Sequence, residues 1–184
     1  MISSLNNVIL NRKKMNRARL QDQLSQWNGN DTKVLSNLYS EIERFEPNTF
    51  LGLLPEFSRA ITWLIKHHIE QGYALSESDT ASLFAASKTC SDWQAQLHLL
   101  QIAVLINCRP ELLDMIRDTI QAGLKSERPF LRAWAFEAEF LRVQFQQSEL
   151  KKLALKIESI LPLEKASVKA KLRKISEKIK NLKS

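Results

Sequence analysis

Glycine is scarce in this chain, with four residues, proline hardly less so with five, and cysteine scarcer still with two. The few glycines and prolines are scattered, which excludes a Pro/Gly-rich linker or a low-complexity segment. The 184 residues therefore read as one continuous domain, 1–184. Cys90 and Cys108 are too few for a disulfide framework and lack metal-ligand spacing, so two free, mostly buried thiols in a reducing compartment are expected. No apolar run reaches the roughly 18 residues of a membrane span, since even the stretch 97–108 is broken by Gln101 and Asn107. Near the amino terminus, Asn6 and Asn7 precede Val8-Ile9-Leu10 and the basic residues follow it, the reverse of a secretory signal, so a cytoplasmic location and no membrane partner are expected. Gly-rich phosphate loops, the GxSxG elbow and HExxH are missing, and His67, His68 and His98 have no cysteine or carboxylate at ligand spacing. The expectation is no metal, no cofactor and no enzymatic activity.

What the chain does have is helical periodicity and unevenly placed charge. Long segments carry apolar residues every three or four positions without sustained alternation, which predicts an all-α chain of about nine helices joined by short connections. Asn30 or Asp31 caps a helix that ends at Glu46-Pro47-Asn48, and Pro55 opens one that stops at Gly72. Ser78 or Asp79 opens a helix to about Thr89, and Ser91 with Gln94 forms a capping box for the next, to about Asn107. Pro110 opens a helix closing at Gly123, Pro129 opens one to about Phe145, and Ser148 caps one to about Leu161. A helix over about 12–27 and a basic one over 164–184 complete the set, and residues 1–11 are expected to be disordered. The net charge of +7 sits at the two ends: Arg12, Lys13, Lys14, Arg17 and Arg19 are met by no acid, and residues 148–184 hold eleven Lys/Arg against four Glu.

Alternate helices overlay. Glu56-Phe57-Ser58-Arg59-Ala60, Ser91-Asp92-Trp93-Gln94-Ala95, Pro129-Phe130-Leu131-Arg132-Ala133 and Ala166-Ser167-Val168-Lys169-Ala170 each end in a basic or amide side chain followed by alanine, and the alanines stand 35, 38 and 37 residues apart. A near-constant period of this size signals stacked hairpins, with the small residue letting the next hairpin approach. The segments 128–135 and 166–173 resemble second helices of HEAT repeats, where a Pro, a hydrophobic-Arg pair and Ala recur, and 93–100 is a less faithful copy with Gln94 in the Arg position. The resemblance covers roughly residues 50–175 and implies an α-α superhelix of antiparallel hairpins, HEAT- or armadillo-like; the period is shorter than the family's usual 40 or more.

Candidate contact residues follow from the overlay. Arg59, Gln94, Arg132 and Lys169 occupy equivalent positions and form a ladder along the inner helices, either paired with acids of the neighbouring repeat or facing a ligand. The last helix is amphipathic, with Val168, Leu172, Ile175, Ile179 and Leu182 on one stripe and Arg173, Lys174 and other cations elsewhere. It is either a polar cap or an electrostatic platform. Trp27, Trp63, Trp93 and Trp134 read as packing residues. Glu137 and Glu139 lie two apart on a helix, share no face and read as solvated. The leading expectation is a non-enzymatic module that binds a protein partner through its concave face. Sequence-nonspecific nucleic-acid binding through the ladder and basic ends stands second, and third a HEAT-like DNA glycosylase, needing Trp93 or Trp134 clustered with Glu137.

Overall fold

The computed structural model describes residues 17–42 and 46–182. The expected disordered stretch 1–11, the cations Arg12, Lys13 and Lys14, Phe45 and Lys183 lie outside the described residues. Among those described the chain is all-α and contains no strand: α1 (Arg17–Ser25), α2 (Thr32–Ser40), α3 (Pro47–Phe50), α4 (Leu54–Glu70), α5 (Glu77–Ala86), α6 (Trp93–Leu105), α7 (Pro110–Asp114), α8 (Arg117–Lys125), α9 (Pro129–Val143), α10 (Gln147–Ile160) and α11 (Ala166–Asn181). No described helix is long and apolar enough to cross a membrane.

Local chemistry explains most boundaries, including those that differ from expectation. Asp31 caps α2 by accepting the Lys33 N–H, but α2 ends at Ser40, and Pro47 starts α3 instead of closing the helix before it. A proline suits a first turn because its missing N–H has no helical partner there. Ser76, not Ser78 or Asp79, caps α5, its Oγ accepting the Asp79 N–H. Asp92 displaces Ser91 as the cap of α6, and its Oδ1 accepts both the Gln94 and Ala95 N–H groups at 2.9 Å. A carboxylate is the stronger acceptor and complements the helix dipole. The single helix expected from Pro110 to Gly123 is two, broken at Ile116 (φ −112°, ψ 23°). Gly123 lies inside α8, where a Cβ would meet that of Ala135 at 2.8 Å; its bareness serves the approach of α9 and not a helix stop. Ser148 falls within α10 and leaves the N-cap to Gln146, which makes no side-chain bond.

Helices α4 and α6 end alike. Gly72 (φ 89°) and Asn107 (φ 48°) follow α4 and α6 in the left-handed conformation. Tyr73 and Cys108 then return N–H bonds to the His68 and Ala103 carbonyls at 3.3 and 2.9 Å, the Schellman arrangement that satisfies orphan carbonyls.

Helices α4, α6, α9 and α11 pack in sequence as one layer, while α5, α7, α8 and α10 return the chain between them. Cross-links show that these four run parallel. Near their starts Arg59 reaches Asp92, Arg128 covers Trp93 and Arg132 reaches Glu164. Farther along, Thr62 meets His98 and Lys171 meets Glu137. Such ties span 32–36 residues, close to the spacing of the repeat alanines. Ala60, Ala95 and Ala133 are buried, whereas Ala170 on the last helix is exposed, since no further hairpin among the described residues covers it. Ile61, Leu64, Leu99, Phe136 and Ile175 sit in the resulting core, at most 1% exposed. Leu182, expected on the buried stripe, follows α11 and is half exposed because the packed stripe stops at Ile179.

Candidate functional site

The overlaid positions of the layer formed by α4, α6, α9 and α11 carry a ladder of side chains across its amino-terminal ends. Arg59, in the first turns of α4, donates Nη2–H to Asp92 Oδ2 at 2.7 Å and Nη1–H to the Gly29 carbonyl at 2.9 Å. Arg132 of α9 repeats the pattern more tightly, with Nε to Glu164 Oε1 at 2.7 Å, Nη2 to Oε2 at 2.5 Å and Nη1 to the Ser126 carbonyl at 2.5 Å. Bidentate pairing matches the guanidinium fork to the carboxylate, and the second pair is the more enclosed, with side chains 18% and 9% exposed against 30% and 25%. The Arg132 hydrogen bonds hold the Glu164 carboxyl below its usual range, and Glu164 in turn raises the guanidinium. For Asp92, burial works to raise the pKa, but hydrogen bonds from Arg59 and the Ala95 N–H outweigh it and the net direction is down.

Two ladder positions are occupied differently. Gln94 supplies only its backbone N–H, to Asp92. Lys169, half-buried on α11, has no ion-pair partner among the described residues, because no later hairpin among them offers a carboxylate. Arg173 and Lys174 are exposed on α11 and make no ion pair among the described residues. The six candidates thus separate into two guanidiniums tied into the fold, an amide with no side-chain hydrogen bond among the described residues, and three cations on the terminal helix.

Glu137 and Glu139 are not solvated. Glu139 is 8% exposed and pairs bidentately with the buried Arg142 at 2.8 Å, which also reaches Asp114 at 3.1 Å. Glu137 bonds Lys171 and, at 3.3 Å, Lys178. Burial works to raise its pKa, yet Lys171 prevails and lowers it. The Glu139-x-x-Arg142 spacing was the available signal; what hid it is that α9 is buried on nearly every side, so even its polar residues turn inward.

All four tryptophans have defined neighbours. Trp27 donates its indole N–H to the Asp31 carbonyl at 2.9 Å, and Trp63 stacks on His67 at 4.7 Å. Arg128 lies 4.0 Å over Trp93, and Lys171 lies 3.3 Å over Trp134, geometries of cation–π attraction. Trp134 and Glu137 therefore share Lys171, while Trp93 lines a separate groove with Ser126, Glu127, Arg128, Pro129 and Phe130. The thiols are free, and burial raises both, Cys108 to about 11, which keeps them protonated and poorly nucleophilic at neutral pH. No cluster of metal-ligating side chains occurs among the described residues.

Comparison of the chain with protein-family models, with curated proteins and with solved structures finds no match.

Proposed function

We propose that this chain is a non-enzymatic interaction module, a short HEAT-like α-solenoid that binds a protein partner along the rim of its inner helices. One observation carries the reading. Of eight exposed large apolar side chains among the described residues, six stand at the ends of inner helices: Phe130 and Leu163 at amino-terminal ends, Tyr73, Leu105, Phe145 and Leu182 at carboxy-terminal ends. Phe145 is 78% and Leu163 85% exposed. These groups line the two opposite edges of the layer, two at the amino-terminal edge and four, one per helix, at the carboxy-terminal edge, and such repetition at this exposure marks contact edges rather than the scatter of an inert surface. Helices packed side by side place neighbouring groups of one edge about 8–10 Å apart, a spacing suited to an extended or helical segment of a partner.

A second reading rests on the terminal hairpin, where Lys165 at the N-cap of α11 and Arg173, Lys174 and Lys180 on it are exposed and free of ion pairs among the described residues. Such a face attracts phosphate backbones without reading bases.

The test is fluorescence anisotropy of the purified protein with duplex DNA, single-stranded DNA and RNA across a salt series, beside binding of a partner recovered by cross-linking and then purified. The protein-partner reading predicts binding to the purified partner that changes little with salt and no nucleic-acid binding near physiological salt. Nucleic-acid binding that weakens steeply with salt, through counterion release, replaces it with the second reading.

A further inference from the structure

The ladder has an unfilled rung. Donor positions 59, 94 and 132 are each followed, 33, 33 and 32 residues later, by an acid: Asp92, Glu127 and Glu164. Glu127 immediately precedes the N-cap of α9 just as Glu164 precedes the N-cap of α11. In the first and third rungs an arginine fills the donor place and grips the acid. In the middle rung the donor place holds Gln94, and among the described residues no cation pairs with Glu127. The tie between these two hairpins is made another way, by Arg128, which follows Glu127 in the chain, lying on Trp93. Glu127 is left on the wall of a groove of about 670 Å³ beside Phe130, which is 66% exposed.

We propose that this groove receives an arginine side chain of the protein partner, completing the middle rung. The inference rests on the protein-partner reading above and names the chemistry of the partner at one point. Within this one chain the acid at the same place before the next inner helix, Glu164, already binds a guanidinium, and Asp92, one position later as the N-cap itself, binds another; Glu127 carries the same recognition chemistry without its internal ligand. Arginine suits the place better than lysine. Its planar fork takes both oxygens of Glu127, and its face stacks on the exposed ring of Phe130, whereas an ammonium does only the first and does it as a point charge.

The experiment titrates acetyl-arginine N-methylamide into the isotope-labelled full chain at constant ionic strength and follows amide and indole shifts, with the lysine analogue as control. Shifts concentrated at Trp93, Glu127, Arg128 and Phe130, several-fold smaller with the lysine analogue, are expected. Glu127→Gln, Phe130→Ala and Gln94→Arg, all at exposed or half-exposed positions, each weaken binding, the first and last by about tenfold or more. Equal response to both analogues, shifts scattered over the surface, or full binding by Glu127→Gln overturns the inference. If the groove is silent while the purified protein partner still binds, only the arginine is wrong; if the partner does not bind either, the reading beneath it fails.

Discussion

Replacing Arg132 by methionine keeps the aliphatic stem and removes three hydrogen bonds of 2.5–2.7 Å, two to Glu164 and one to the Ser126 carbonyl. The Glu164 side chain is only 9% exposed, so the variant leaves a poorly solvated carboxylate without its partner. Breaking a fully buried pair costs roughly 3–5 kcal/mol, and exposed pairs contribute about 0–1; partial exposure of this one puts the loss at about 2–3 kcal/mol. At about 2–4 °C per kcal/mol for a chain of this size, Tm falls by roughly 4–12 °C. Arg59→Met, at the more exposed pair, costs about 1 kcal/mol by the same reasoning. The assay is urea unfolding followed by circular dichroism, with Glu164→Gln and the double variant completing a cycle. Removing both partners recovers much of the loss, because the stranded charge is gone. A smaller loss at Arg132 than at Arg59, or simple additivity in the cycle, refutes the view that these arginines are internal ties.

Other consequences follow from single contacts. Gly123→Ala forces two Cβ atoms to about 2.8 Å, well inside carbon contact distance, so it destabilises by about 1–2 kcal/mol despite the better helix propensity of alanine; denaturant unfolding that shows a gain in stability contradicts the close crossing of α8 and α9. Asn107→Gly relieves the left-handed backbone and raises stability by up to about 1 kcal/mol, whereas Gly72→Ala lowers it by about 1, both read from thermal melts. His98 is 9% exposed with Nδ1 3.0 Å from Thr62 Oγ, and burial, with Lys66 nearby, lowers its pKa to about 4. A depressed histidine stabilises the fold fully above its unfolded value near 6.5, and the contribution is lost as pH falls toward about 4, a drop of about 3 kcal/mol. His98→Gln therefore shows a flatter stability profile than the parent between pH 7 and 4, and parallel profiles refute the assignment.

Helical class and the order of the long helices were legible because Pro55, Pro129 and Gly72 do in this chain what their backbone chemistry favours anywhere. The ladder was visible as an alignment of Arg59, Gln94, Arg132 and Lys169, but its occupancy was not. Whether an arginine faces a ligand or a neighbour depends on an acid some 33 residues away, and the acids at 92 and 164 became meaningful only once parallel packing set them beside Arg59 and Arg132. Glu137 and Glu139 misled for a related reason. A helix flanked by neighbours on several sides buries residues that two-faced amphipathicity assigns to solvent, and only their lysine and arginine partners make that tolerable. The surface rows, such as Tyr73, Leu105 and Phe145, went unseen because residues at helix ends carry no periodic signature.

The most direct measurement is the thermal stability of Gln94→Arg, alone and combined with Glu127→Gln. A repeating ladder with one acid left waiting predicts that the introduced guanidinium pairs with Glu127 and raises Tm by about 2–4 °C, and that Glu127→Gln abolishes the gain. A Gln94→Arg chain no more stable than the parent, or one whose gain survives Glu127→Gln, contradicts the account.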